Sequence, residues 1–362
     1  MEKCKDFYYP SPFLTVDEQL VRFFGNCRFR VYMPSKPDKY GIKIWALCDA
    51  KNGYCMNFEV YTGRAPEADA ERNQGTRVVL ELTEHVPGGY NITTDNFFTS
   101  IDLARKLKER NNPMTLLGTI RRNKPQIPEK FLEVKNRELF SSLFGFSEGM
   151  MMTSYIPKPR KTVLVLSSSH YSHIISDEAH KFKPEIILDY NRTKGGVDML
   201  DKVVKIYRVF RKSNRWTFAL FLHYIDVILY NAYILWTLKN PDWEVTTKDK
   251  RRNFILEVGK ALVLPFIRER DKSHLQTSII QSIKMVLEEN TIEASGPTEE
   301  LSQANEDKAG DSPSMGRCYI CGRNKDRKSR AKCDFCKKFV CPMHKHRSVA
   351  NACDNCFIHE NV

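Results

Sequence analysis

Phe13-Leu14-Thr15-Val16-Asp17 is a run of apolar and β-branched residues closed by a carboxylate, and Tyr90-Asn91-Ile92-Thr93-Thr94-Asp95 repeats the design. Such residues suit a pleated, half-buried strand, so both aspartates read as strand ends. A third carboxylate, Asp198, follows Thr193-Lys194-Gly195-Gly196-Val197, where Val197, Leu200 and Val204 recur at helical spacing. Asp198 therefore falls in the first turn of a helix. Hard divalent cations such as Mg²⁺ take a few carboxylate oxygens and otherwise keep water or phosphate oxygens. Two such ions can clamp both sides of an in-line phosphoryl displacement, and three converging aspartates suffice to hold them. With 44 acidic residues in the chain, most triples of aspartates mean nothing, so the surrounding words decide.

Those words are Leu14-Thr15-Val16-Asp17-Glu18-Gln19-Leu20, Asn91-Ile92-Thr93-Thr94-Asp95-Asn96-Phe97-Phe98-Thr99-Ser100 and Tyr190-Asn191-Arg192-Thr193-Lys194-Gly195-Gly196-Val197-Asp198-Met199-Leu200-Asp201. Together with Tyr32-Met33-Pro34-Ser35-Lys36-Pro37, Lys39-Tyr40-Gly41-Ile42-Lys43, Gly118-Thr119-Ile120-Arg121 and Ser213-Asn214-Arg215-Trp216, they resemble the segments of piggyBac transposases, in order, from about Tyr9 to the last cysteine. The resemblance implies an α/β, RNase H-like catalytic core of the DDE type. Asp17, Asp95 and Asp198 match its triad, Asp201 a fourth acidic position, and two Mg²⁺ ions are the implied cofactors. Residues 1–119 then form the first part of the core, 120–190 a β-rich insertion, and 191–292 the rest of the core with a helical extension. The implied partner is double-stranded DNA, as transposon ends and TTAA targets, handled through hairpin ends by a homodimer without a covalent enzyme intermediate. No small-molecule substrate is implied. The family carries a longer N-terminal region, with helices for dimerisation and DNA binding, where sixteen residues precede Asp17 here. The expectation is that this chain binds element ends but does not excise an element alone.

Composition agrees. Fifty-seven basic against 44 acidic residues give +13 over 362 residues, which suits a polyanionic partner, although an ordinary basic protein has the same balance. Residues 1–12 are mixed, polar and aromatic and lack a secretory pattern. Trp216 to Leu238 is long and apolar enough to span a bilayer, but Asp226 near its centre would cost roughly 2.5 to 3.5 kcal/mol there. We read it as a buried helix, with Phe218, Leu222, Ile225, Leu229, Ala232 and Trp236 as the packed face, and expect no membrane partner.

Elsewhere, 28–34, 39–50 and 54–63 read as strands, the last two joined through Asn52-Gly53. Helices are expected over 75–85 and around Ile101 to Leu107, with a strand over 114–119. Between 120 and 188 the pattern loosens, apart from the β-branched run 162–166. Helices follow from Gly195 to about Glu289, broken near Pro241 and Pro265. Residues 293–316 hold six acidic residues against one basic and no aromatic residue, so they cannot repay the entropy of folding and read as a flexible linker.

Beyond the linker, in 317–362, cysteines and a histidine fall in four pairs: Cys318/Cys321, Cys333/Cys336, Cys341/His344 and Cys353/Cys356. A two-residue gap lets both members of a pair reach one zinc, so the pairs supply two closed tetrahedral sites. A cross-brace, with the first and third pairs on one Zn²⁺ and the second and fourth on the other, is implied by the piggyBac resemblance. Sequential pairing, and His346 in place of His344, stay open on spacing alone. Disulfides are the competing reading, disfavoured by the absence of a secretory signal. Cys4, Cys27, Cys48 and Cys55 lack the spacing and read as free thiols.

Candidate DNA contacts follow from charge. Arg323, Lys325, Arg327, Lys328, Arg330 and Lys332 crowd one loop of the cysteine-rich module, which suits phosphate contacts or nuclear import, and a nuclear location is expected. Arg121, Arg122 and Lys124 can hold strand phosphates or form a solvated charge run. Lys212, Arg215 and Trp216 can grip and stack on an unpaired base, against the plainer reading of Trp216 as a core anchor. His170 and His173 read as ordinary loop histidines. Two rival functions remain: a captured DNA-binding protein that no longer cleaves, and a RING- or PHD-like interaction module on a helical body.

Overall fold

A computed structural model describes residues 6–63, 71–292, 315–321, 327–333 and 337–344, with side chains of the second segment described to 287. It divides into two compact units, 1–274 and 275–362.

The first unit is built on β1 (Phe13–Arg22), whose burial pattern leaves only its ends and the Asp17-Glu18 step partly open. β1 runs antiparallel to β3 (Tyr40–Asp49), which also pairs with β2 (Arg30–Tyr32) and β4 (Cys55–Val60). Gly53, at φ +72°, closes the turn between β3 and β4 that Asn52-Gly53 foretold. On its other side β1 runs parallel to β5 (Asn91–Thr94), and β5 parallel to β6 (Thr115–Thr119). Parallel neighbours need crossovers, and α1 (Gln74–Leu82) and α2 (Ile101–Glu109) provide helices in these connections. Ser100 caps α2 by accepting from the Leu103 N–H at 3.0 Å.

The segment expected as an insertion does hold three strands, β7 (Ser142–Ser147), β8 (Met150–Lys158) and β9 (Lys161–Ser167), after a single turn of helix, α3 (Glu129–Leu132). They add to the core sheet: β9 pairs with β6, giving the order β2-β3-β1-β5-β6-β9-β8-β7 with β4 on β3. The result is a mixed α/β sheet with helices.

Four expectations need correction. Asp17 lies mid-strand, because pairing with β3 carries β1 on to Arg22. A helix, α4 (Glu185–Thr193), occupies part of the stretch read as irregular. It precedes the expected α5 (Gly196–Ile206), which buries Val197, Leu200 and Val204 as its spacing requires. Pro265 does not break α7 (Lys250–Glu269); it lies near the end of that helix, where the one carbonyl left without an intrahelical donor, at the exposed Ala261, can be hydrated.

The fourth correction concerns α6 (Trp216–Lys239). The helix does pack on the core, and it ends before Pro241 as expected. Its buried face, however, is Ala219, Leu220, Leu222, Asp226, Val227, Tyr230, Asn231 and Ile234, while Phe218 and Trp236 stay exposed. Polar partners choose this face. The β3–β4 ladder shifts register between Leu47 and Cys48, and Asn231 bonds both main-chain groups of Cys55 there, accepting from its N–H at 2.9 Å and donating to its carbonyl at 2.8 Å. Asp226 accepts from the Val209 N–H at 2.8 Å, and Tyr230 donates to the Asn52 carbonyl. Among the described residues α6 is the one helix long and apolar enough to cross a membrane.

In the second unit, α8 (Thr277–Ile292) precedes a small two-stranded sheet of β10 (Gly316–Arg317) and β11 (Lys328–Ser329). Most of the expected linker, 293–314, lies outside the described residues, as do Cys4, Arg323, Lys325, Cys336, His346, Cys353 and Cys356.

Asn231→Leu keeps the volume but strands the Cys55 N–H and C=O in the core. A loss of about 2 to 4 kcal/mol of stability is expected in denaturant titration, and a change within error would show that the shifted register does not depend on this side chain.

Candidate active site

The sheet register brings two of the three aspartates together. β1 and β5 pair as Thr15 with Thr93 and Val16 with Thr94, so Asp17 and Asp95 are the next residue on each chain. β5 ends there while β1 continues, and the two carboxylates share one edge. Each is oriented by its own backbone: the Glu18 N–H donates to Asp17 Oδ1 at 2.7 Å, and the Phe97 N–H to Asp95 Oδ1 at 2.8 Å. Gly118 lets β6 approach this turn, since a Cβ there would lie 2.2 Å from Thr99 Oγ1.

One buried threonine delivers the third segment. Thr15 Oγ1 donates to the Thr193 carbonyl at 2.6 Å, and Thr93 Oγ1 to Thr193 Oγ1 at 2.8 Å. Two residues before each strand aspartate, a hydroxyl thus holds the end of α4. Gly195-Gly196 then turns the chain into α5, and Gly196 is required because a Cβ would meet Thr15 Oγ1 at 2.7 Å. Asp198 sits in the first turn of α5, as its sequence foretold.

The carboxylates that converge most tightly are Asp17, Glu18 and Asp95, each offering an oxygen within 4.8 Å of the others. Glu18 escaped the sequence reading because strict alternation turns it to the opposite face from Asp17. Asp198 stands outside that group: its side chain is 70% exposed, with Oδ1 4.0 Å from Lys36 Nζ. Asp201 is engaged elsewhere, accepting from Gln19 Nε2 at 3.2 Å and Lys205 Nζ at 2.8 Å. The charges of all three expected aspartates nevertheless act on Tyr190. Burial raises the pKa of its phenol first, and the charges of Asp95, Asp17 and Asp198 raise it further. Burial, then the neighbouring Glu18, pushes Asp17 up to about 8, and burial also raises Asp95. Half-buried carboxylates that resist ionisation together form a donor set of hard oxygens that suits a divalent cation.

Among the expected DNA contacts, Arg121 lies at this edge. Arg121 donates to Asn96 Oδ1 at 3.3 Å and lies over the Phe97 ring, beside the Asp95 turn. Arg122 donates to the Leu132 carbonyl, and Lys124 is half-buried. Lys43 was missed: its ammonium sits among Trp45, Tyr61 and Phe97 at 4.1 to 5.7 Å from the ring centres. Lys212 and Arg215 line an open groove with Phe218 and Phe221, and the half-exposed Trp216 packs edge-on against Phe29 at 5.0 Å. His170 is held by Ser167 and Asp189.

In the second unit, Cys318, Cys321, Cys341 and His344 form one cluster. Their contacts run from 3.5 Å (Cys321 to His344) to 3.7 Å (Cys321 to Cys341). A tetrahedral zinc with bonds of about 2.3 Å to sulfur and about 2.0 Å to nitrogen sets its ligands roughly 3.5 to 3.8 Å apart, so these four residues could hold it. The first and third pairs meet, skipping Cys333, which is buried beside Val340. Arg327, Lys328 and Arg330 are exposed, while Lys332 is half-buried with its ammonium over Phe339. Cys27, Cys48 and Cys55 are free thiols.

Comparison with known proteins places this geometry. A family model described as Transposase IS4 matches residues 1–233. The human PiggyBac transposable element-derived protein 3 is 29% identical over 254 residues, 65% of this chain and 42% of that protein. The human Chimeric ERCC6-PGBD3 protein matches at the same identity and covers 65% of this chain and 23% of its own length. The chain thus spans less than half the length of these curated relatives. A cryo-EM structure of a piggyBac transposase synaptic complex with hairpin DNA superposes with a TM-score of 0.70 at 33% identity, covering 98% of this chain and 71% of that one.

The raised pKa of Asp17 has a defined sign. A folded-state value near 8 favours folding below the ordinary carboxylate range, and that contribution is lost as pH rises through the folded value. In divalent-free buffer, Asp17→Asn should therefore gain thermal stability over wild type as pH goes from about 5 to about 9. A difference in melting temperature that does not change with pH would contradict this.

Proposed function

The chain belongs to the Transposase IS4 family of DDE transposases, on its piggyBac branch, and from that premise we propose that it encodes the DNA-cleaving and strand-joining core of a piggyBac-type transposase. The observation that carries the proposal is the meeting of Asp17 and Asp95 at one sheet edge, with the α4–α5 junction that bears Asp198 anchored to the same two strands by the Thr193 bonds. The strand order around β1, antiparallel to β3 and parallel to β5, supports an RNase H-like core that β7 to β9 extend.

Asp17, Asp95 and Asp198, with Asp201 nearby, would hold two Mg²⁺ ions, and Glu18 lies within the same group of oxygens. When bound, such ions acidify a nucleophilic water or 3′-hydroxyl and stabilise charge on the leaving oxygen. The protein's part is placement. Main-chain N–H groups at Glu18 and Phe97 fix the carboxylates, and Arg121 stands beside the Asp95 turn where a strand phosphate would pass. Lys36, donating to the Glu18 carbonyl at 2.9 Å, keeps a cation next to Asp198. The substrates would be double-stranded element ends and TTAA targets, handled by a homodimer in the nucleus.

Cys318, Cys321, Cys341 and His344 would hold one Zn²⁺, and Cys333 with Cys336, Cys353 and Cys356 a second, in a cross-brace. Basic residues around that module would contact phosphates. A second reading, a captured derivative that binds DNA without cleaving it, draws on the exposed position of Asp198, paired at 4.0 Å with Lys36 outside the tightest carboxylate group.

Cleavage of a labelled element end with Mg²⁺ separates the two. Asp198→Asn should leave folding and DNA binding nearly intact while abolishing strand cleavage, because an amide removes the charge a metal pair needs with little change in shape. Nicking by the variant at the wild-type rate would refute the assignment. Metal analysis of the reduced protein should find about two zinc ions per chain, and strong chelation should unfold the cysteine-rich module without melting the sheet. A zinc content near zero would defeat that part.

A further inference from the structure

Three aromatic rings lie bare at the far end of the strands that carry Asp17. Phe24 and Tyr32 are each 56% exposed and Tyr40 is 42% exposed. Tyr40 stands between the others, its ring centre 4.8 Å from Tyr32 and 6.3 Å from Phe24. Two arginines stack on the row: Arg22 lies over Phe24 at 5.1 Å and Arg30 over Tyr40 at 5.7 Å. Arg30 is fixed in place, donating to the Phe24 and Gly25 carbonyls at 2.7 and 3.0 Å.

The row is mechanically coupled to the catalytic edge. Residues 33–39 join Tyr32 to Tyr40 in a closed turn, with the Met33 N–H on the Lys39 carbonyl at 2.7 Å. The same turn carries Lys36, bonded to Glu18 and adjacent to Asp198, and Asp38, which pairs with Arg22 and Lys205.

We propose that Phe24, Tyr40 and Tyr32, with Arg22 and Arg30, form a stacking platform for the unpaired bases of a DNA strand whose backbone continues into the Asp17–Asp95 edge. This rests on the transposase reading. Exposed rings contribute little to the core, and a guanidinium over a ring attracts phosphate while leaving ring surface for a base. Every base has a π-face, so such a row tolerates any sequence, and a closed duplex hides the faces it needs. Tyr40 is six residues along β3 from Ala46, the partner of Asp17, which is roughly 20 Å at about 3.4 Å per residue. At about 3.4 Å per stacked nucleotide, the platform touches bases on the order of six positions from the cleaved bond.

The test is fluorescence anisotropy of the full chain with a labelled oligothymidine and, separately, a blunt duplex. Phe24→Ala, Tyr32→Ala and Tyr40→Ala should each weaken oligothymidine binding by about 5- to 100-fold, the equivalent of about 1 to 3 kcal/mol for one lost stacking contact. Duplex binding should hold, as should the melting temperature of the protein. Phe24→Tyr and Tyr32→Phe should keep the affinity, which a loss through misfolding would not predict. Unchanged oligothymidine binding in all three alanine variants would overturn the proposal, as would an equal loss on duplex. So would loss of self-association alone, which would assign the rings to a second copy of the chain. Cleavage of fully paired ends by wild type is a separate measurement, so the platform can fail while the transposase reading stands.

Discussion

The hydrogen bonds that meet at Thr193 hold the rest of the site in place. The side chain of this residue accepts from Thr93, its carbonyl accepts from Thr15, and its own hydroxyl donates to the Asp189 carbonyl. All three threonines are buried, so each unmade bond would leave a polar group without water. The parallel pairing of Thr15 with Thr93 presents two hydroxyls side by side, and Thr193, the last residue of α4, engages both. Gly196 then lets α5 lie against β1. Asp17 and Asp95 lie two residues, and Asp198 five, along the chain from these bonds.

Electrostatics opposes that arrangement. Asp17, Glu18 and Asp95 share a half-buried edge, and burial raises the pKa of Asp17 first, with the like charges of Glu18 and Asp95 raising it further. Nearby cations are placed to one side rather than inside: Lys36 at Asp198, Lys205 between Asp201 and Asp38, Arg121 over Phe97. An edge with surplus negative charge surrounded by basic residues suits a polyanion approaching through cations. Asp49 shows the opposite solution within the same sheet: it is fully buried, yet it accepts from Tyr8, from both groups of Ser11 and from the Lys51 N–H, and it serves structure alone.

What the sequence disclosed and what it withheld follow one division. The strands β2 to β6 and β9, the first-turn position of Asp198 and the buried positions Val197, Leu200 and Val204 were legible because local periodicity and turn chemistry determine them, whereas β7, β8 and the second half of β1 were not. The face of α6 was not, since apolar spacing favoured Phe218 and Trp236 whereas Asn231 was recruited by a register shift more than 170 residues earlier in the chain. Helix α4 was hidden by its polar last turn and by the prolines before it. Glu18 was invisible because period-two reasoning assigns it to the face opposite Asp17, yet the two carboxylates and Asp95 converge. A long-range partner accounts for the misread face of α6, whereas α4 and Glu18 were missed for local reasons.

The Thr15–Thr193 bond spans 178 residues. Closing so large a loop costs more entropy than closing a short one. During synthesis Asp17 and Asp95 can pair as soon as β5 exists, but the segment bearing Asp198 cannot be docked until α4 has been made. A nascent chain that ends before α4 therefore carries Asp17 and Asp95 without Asp198. The three acidic segments are therefore brought together only by a contact that spans most of the first unit, so their arrangement belongs to the folded unit and to no local stretch of it.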